Sequence, residues 1–152
     1  MCVKKRISII RVLAMLLALA LIAPVGANAA VVETVQPRAS YYLNSYNAYV
    51  WPAGSGKVQV WFTVKGTGYM DDIGTLTIQI YESTDNSTWY RVKSFSNGNY
   101  PNMLAQDDYS HCSYVEYQGV AGRYYKAYVC VWAGKNNGGD TRYFWTSAKL
   151  AS

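Results

Sequence analysis

Three observations set the expected fold. Segments of seven to nine residues alternate apolar and polar side chains, clusters of Gly, Pro, Asn and Asp separate them, and no helical period occurs after the first thirty residues. Together they predict an all-β protein, an antiparallel β-sandwich of about seven strands, immunoglobulin- or fibronectin-like, preceded by a signal-peptide helix. A small closed barrel is the alternative that strand spacing leaves open.

In chain order, the first strand is expected over Ser45 to Trp51, and Pro52 to Gly56 is a turn by composition. Lys57 to Lys65 alternates most cleanly, with Val58, Val60, Phe62 and Val64 on one face and Gln59, Trp61 and Thr63 on the other. Gly66-Thr67-Gly68 predicts a break, with a connecting loop over Tyr69 to Gly74. Thr75 to Ser83 and Trp89 to Phe95 read as a hairpin around Thr84 to Thr88. Ser96 to Asp108 is expected to be a polar connection in which Met103-Leu104-Ala105 packs down as a helical turn or an anchor. Strands then follow at Ser110 to Gln118, within Gly119 to Gly134, and at Thr141 to Lys149.

The N-terminus has a different character. Lys4, Lys5, Arg6 and Arg11 precede or border the apolar run Val12 to Ile22. A Pro24–Gly26 break and the small-residue signal Ala27-Asn28-Ala29 come next. This pattern predicts a signal peptide over 1–29, a flexible lead-in over 30–44 and the β-domain over 45–152; a retained membrane anchor is the competing reading. Secretion to the extracellular space is the implied destination, with no membrane insertion after signal removal. Four of the 14 basic residues and none of the nine acidic ones lie in 1–29, so the remainder carries ten basic and nine acidic groups, net +1. No Lys/Arg cluster survives, and nucleic acid is not an expected partner.

Cys112 and Cys130 are the two cysteines beyond the signal. In an oxidising compartment they are expected to pair as a disulfide, and two free thiols are the alternative. If their strands form a direct hairpin, Cys112 faces Cys130 and Glu116 faces Lys126, an opposite-charge pair that favours this register. If the strands lie in opposite sheets, the bridge crosses the core. Gly122 to Val129 resembles the start of a fibronectin-type strand whose inward tyrosine bonds back to upstream backbone, and Tyr125 is the expected corner residue, with Tyr128 as competitor.

Chemistry-bearing constellations are sparse. His111 is the lone histidine, flanked by Asp107, Asp108 and Ser110, but adjacent residues on a strand point to opposite faces. The ligand types present suggest no metal site and no cofactor. No carboxylate pair stands out for glycoside hydrolysis, so a non-enzyme is expected. Asn86-Ser87-Thr88 matches a glycosylation sequon and is read here as turn composition. What remains is aromatic: all 23 aromatic residues lie beyond position 29. Trp61 and Tyr81 fall on the outward sets of their strands beside amides and hydroxyls, and Tyr49 and Trp51 are among the rings that crowd the first strand. These four are the candidate binding residues, because flat rings beside amides and hydroxyls are how sugar-binding faces are built; the competing reading buries these rings against neighbouring segments.

Several segments together look familiar: Pro37-Arg38-Ala39-Ser40, Gly66-Thr67-Gly68-Tyr69-Met70-Asp71, Tyr81-Glu82-Ser83-Thr84-Asp85, and Gly122 to Gly134 with Gly139-Asp140-Thr141-Arg142. They resemble a family of small secreted proteins of Gram-positive, clostridia-like bacteria, catalogued as a domain of unknown function, and that resemblance implies no activity or site residue. The expected function is that of a secreted, non-catalytic binding or interaction module, with an extracellular glycan or protein as partner. A bacteriocin-like effector acting on a neighbouring cell surface is the alternative.

Overall fold

The computed structural model describes residues 40–152; the expected signal peptide and most of the lead-in lie outside the described residues. Seven strands form one antiparallel sheet: β1 (Leu43–Gly54), β2 (Lys57–Ser83), β3 (Tyr90–Ser96), β4 (Leu104–Gln118), β5 (Tyr124–Lys135), β6 (Gly138–Trp145) and β7 (Lys149–Leu150). β1 starts at Leu43, two residues before the expected domain boundary, because Leu43 is buried.

The sheet is built on β2, whose 27 residues merge two expected strands and the loop between them. Gly66-Thr67-Gly68 is not a break. Against β4, Lys65 pairs with Ser110 and Met70 with Asp108, so four β2 residues oppose the single residue Tyr109. This is a wide irregularity in a continuous strand. Thr67 holds it to β1's lead-in through its N–H to Tyr42 O and its hydroxyl to Tyr41 O. Further on, Gly74 has φ +146°, and a Cβ there would sit 2.2 Å from Met103 O. Only glycine serves both needs.

β1 pairs with the first half of β2 and β5 with the second, both on one edge; β4 and β3 occupy the other edge. The halves curl toward each other and share one core. Val58, Val60, Phe62 and Val64 from the first half pack with Ile78, Ile80, Ala127, Val129 and Val131 from the second. Burying each aliphatic side chain contributes on the order of 1.5–3 kcal/mol. Met103, in a 3-10 turn over Pro101–Met103, is fully buried and anchors the β3–β4 connection. At the chain end, Ser152 O accepts Gly56 N–H and Ala151 O accepts Gly122 N–H, so the C-terminus ties two turns together. Asn136 and Asn137, with φ of 52° and 64°, make a two-residue β5–β6 hairpin turn where a longer loop is expected.

The cysteine hairpin is corrected. β4 and β5 do not pair with each other; they flank β2, with Cys112 opposite Thr63 and Cys130 opposite Thr77. Both cysteines are free thiols, Cys112 exposed and Cys130 buried. Glu116 faces Gln59 and forms its ion pair with Lys57, not Lys126. The hairpin fails because a central strand can satisfy each flank separately, and an opposite-charge pair in sequence does not reveal which Lys a Glu will meet.

Tyr125 is fully buried, and its hydroxyl accepts the Val120 N–H at 2.8 Å and donates to the Glu82 carboxylate, which also pairs with Arg123. A Cβ on Gly119 would lie 2.6 Å from that hydroxyl. Glycine at 119 is therefore what lets the tyrosine ring reach the upstream backbone.

Candidate functional site

The outer face of the first half-sheet carries the aromatic site. Alternation on β2 sends Gln59, Trp61 and Thr63 away from the core, and register supplies their neighbours. Tyr49 of β1, Trp61 of β2 and Tyr114 of β4 fall in one row; Trp51, Gln59 and Glu116 form the adjoining row. Three neighbouring strands place the outer members of a row roughly 10 Å apart. Tyr49 is 46% exposed, Trp51 56% and Tyr114 40%, so the rings form a solvent-facing surface on a core-backed sheet.

The site is held by side-chain bonds. Trp61 Nε1–H donates to Gln59 Oε1 at 3.0 Å, Gln59 Nε2–H donates to Glu116 Oε2 at 2.9 Å, and Lys57 Nζ lies 3.0 Å from Glu116 Oε1. Trp61 also stacks on Tyr114, with ring centroids 4.6 Å apart and planes 28° apart. The Gln59 amide, with Lys57 beside it, holds the Glu116 carboxyl below the usual carboxylate range. Glu116 therefore stays ionised, with lone pairs left over to accept hydroxyl hydrogens. Fixed rings and a fixed carboxylate lower the ordering cost of binding.

The four expected site aromatics do not lie together. Trp61, Tyr49 and Trp51 share this face. Tyr81 lies on the outside of the second half-sheet, donating to Gln79 at 3.2 Å and meeting Trp145 edge-on at 4.9 Å. There Lys126 sits over Trp89 at 4.3 Å and over Trp145 at 4.6 Å, while Tyr128 packs on Trp145 and Tyr143. The chain's own ammonium already occupies that aromatic cluster. Its role is cross-strand cohesion.

Tyr114, Glu116 and Lys57 complete the first site and were missed as site residues. The only sequence signal for them is the outward parity of Tyr114 and Glu116 on β4. Their meeting with Trp61 depends on a pairing that spans about fifty residues, which local pattern does not reveal. His111 packs against Phe62, and its Nε2 lies 2.8 Å from Asn102 O, pinning the 3-10 turn. The Asp108 carboxylate accepts the N–H groups of Tyr109 and Ser110. No nucleophile–base pair results from this neighbourhood. Among the described residues no three His, Cys, Asp or Glu side chains gather as a metal-holding group.

No protein-family model matches the chain, and no curated protein matches it. Among solved structures it is similar to the sporulation control protein Spo0M from Bacillus subtilis, at TM-score 0.39 and 11% identity over 67% of this chain and 47% of that one. It is also similar to a family 76 glycoside hydrolase from a bovine Bacteroides thetaiotaomicron strain, at TM-score 0.33 and 15% identity over 73% of this chain and 21% of that one. The chain thus spans about half the length of the first and a fifth of the second. Likenesses this distant carry no activity across.

Proposed function

We propose that the protein is a non-catalytic binding module for an extracellular or cell-wall glycan, and that the Tyr49–Trp61–Tyr114 surface with Trp51 is its ligand face. The observation that carries this reading is the exposed aromatic row fixed by the Lys57–Glu116–Gln59–Trp61 network. Sugar rings offer C–H faces that pack on aromatic surface and hydroxyls that pair with amides and carboxylates, and this face supplies both. The proposal extends to the setting: a secreted chain with its signal peptide over 1–29, an immunoglobulin-like sandwich as the finer description of the curled sheet, and membership of the Gram-positive family that the sequence resembles.

The test is retention of the purified protein on immobilised polysaccharides, comparing wild type with Tyr49→Ala and Trp51→Ala, both at exposed positions. Each substitution is expected to weaken retention by about tenfold, in line with ~1–1.5 kcal/mol for one aromatic contact. Retention that ignores both substitutions would refute the assignment of this face. Growth inhibition of neighbouring cells by purified protein, without glycan retention, would favour the effector reading.

A further inference from the structure

β3 and β4 lie on the same edge of β2, one on each half of the sheet, and where they diverge they leave an open groove of about 450 Å³. It is lined by Lys93 of β3, by Tyr100 and Asn102 of the β3–β4 connection and by Tyr114 and Glu116 of β4. Tyr114 belongs to both the groove and the aromatic row. One face of its ring is covered by Trp61, and β4 is an edge strand here, so no further strand covers the other face. Asn102 is tied to β4: its Nδ2 donates to Ser113 Oγ at 3.3 Å and to Tyr114 O at 3.2 Å, which leaves its side-chain carbonyl free to accept. Tyr100 is fixed edge-on against Phe95 at 4.8 Å. The groove lining therefore combines aromatic residues from β4 and from the β3–β4 connection with a tethered amide.

Its charge is unbalanced. Glu116 is neutralised by Lys57 at 3.0 Å, whereas Lys93, which overlies Phe95 at 5.6 Å, has no carboxylate within ion-pair distance among the described residues. A groove with an aromatic lining and one uncompensated ammonium complements a sugar ring that bears a carboxylate.

We propose that this groove is the specificity subsite of the ligand face and takes an acidic pyranose unit, its ring against Tyr114 and its carboxylate on Lys93, while neighbouring units of the same polymer run over Trp61 and Tyr49. This inference rests on the glycan-binding reading of that face. A neutral polymer reaches the rings and forgoes the Lys93 contact.

The experiment measures affinity of the full chain for polygalacturonate, for the same polymer after carboxyl reduction, and for poly-L-glutamate, an acidic chain without sugar rings. Wild type is expected to bind polygalacturonate at least tenfold tighter than the reduced polymer and to ignore poly-L-glutamate. Lys93→Met keeps the apolar stem over Phe95 and removes the charge; it is expected to abolish the preference and leave affinity for the reduced polymer within twofold. Tyr114→Leu is expected to weaken both sugar polymers by about tenfold, with an unchanged unfolding midpoint for Lys93→Met guarding against misfolding. Equal affinity of wild type for both sugar polymers, lost in Tyr49→Ala, would overturn the acidic subsite and keep the ligand face. A preference that survives Lys93→Met, or comparable binding of poly-L-glutamate, would also overturn the subsite. Binding to none of the three polymers would overturn subsite and ligand face together.

Discussion

Replacing Tyr125 with Phe isolates the hydroxyl that locks β5 to the preceding turn. The ring stays, with its edge contact to Tyr117 at a centroid distance of 6.2 Å. Two bonds are lost: the one accepted from Val120 N–H at 2.8 Å and the one donated to Glu82. A neutral bond contributes about 1 kcal/mol and one to a carboxylate about 1.5–3 kcal/mol. Arg123 remains on Glu82, whose side chain is 14% exposed and so can recruit water, which limits the net loss to about 2 kcal/mol. The 113 described residues imply an unfolding entropy near ~0.24 kcal/mol/K, so Tm should fall by about 8 °C. Urea and thermal unfolding followed by circular dichroism would measure this, in a cycle with Glu82→Gln. The two substitutions should couple by at least ~0.5 kcal/mol, since they share a bond. A Tm drop under about 2 °C, or strict additivity in the cycle, would refute the lock as a source of stability.

Four further outcomes follow. Burial, with the Glu82 contact second, raises the Tyr125 phenol from 10.0 to about 12; because the folded value lies above the unfolded one, its stabilisation is complete below pH 10 and lost as pH climbs toward 12, and Tyr125→Phe should flatten that part of the pH–stability curve. Thr75 is fully buried and its Oγ1 has no hydrogen-bond partner among the described residues, so Thr75→Val should raise stability by up to about 1 kcal/mol in urea unfolding, and a loss of similar size would refute an unsatisfied hydroxyl. Gly119→Ala puts a methyl 2.6 Å from the Tyr125 ring and hydroxyl and should cost about 1–3 kcal/mol, with little further cost when combined with Tyr125→Ala. In the native protein a thiol reagent should label Cys112 rapidly and Cys130, whose thiol burial pushes up, only on unfolding; peptide mapping would distinguish this from a Cys112–Cys130 disulfide, which blocks both.

Local pattern made much of the strand content legible. The alternation of Val58, Val60, Phe62 and Val64 marks a core face, and all four are buried. The placement of Tyr125 on the inward set with Ala127 and Val129 likewise matches their burial. The hairpin around Thr84 to Thr88 was legible too, and β2 pairs with β3 there; what the chain did not disclose is long-range pairing. Gly66, Gly68 and Gly74 look like punctuation, yet β2 runs through them: β1 pairs as far as Gly66, β4 resumes at Met70, and β4 and β5 flank Gly74, pairings that composition cannot anticipate. The same limit governed the site. Trp61 could be picked out as an outward ring and Tyr49 and Trp51 as candidates on the first strand, but Tyr114 joins them through β2–β4 pairing and Tyr81 separates from them because it sits on the other half of β2. Lys126 and Glu116 illustrate the cost of assuming proximity from opposite charge: each finds its partner elsewhere, aromatic in one case and lysine in the other.

The length of β2 has a kinetic consequence. Its local pairings are the hairpins with β1 and β3, while β4 and β5 arrive only after the chain closes loops such as Val60 to Val115 and Ile78 to Val129. Neither half of the core can be completed early, since both wait for strands from the second part of the chain to find one template. High contact order of this kind sets folding in the millisecond-to-second range rather than microseconds. It also joins the halves: losing β2 from one removes the pairing edge of the other, so global unfolding should be a single cooperative step.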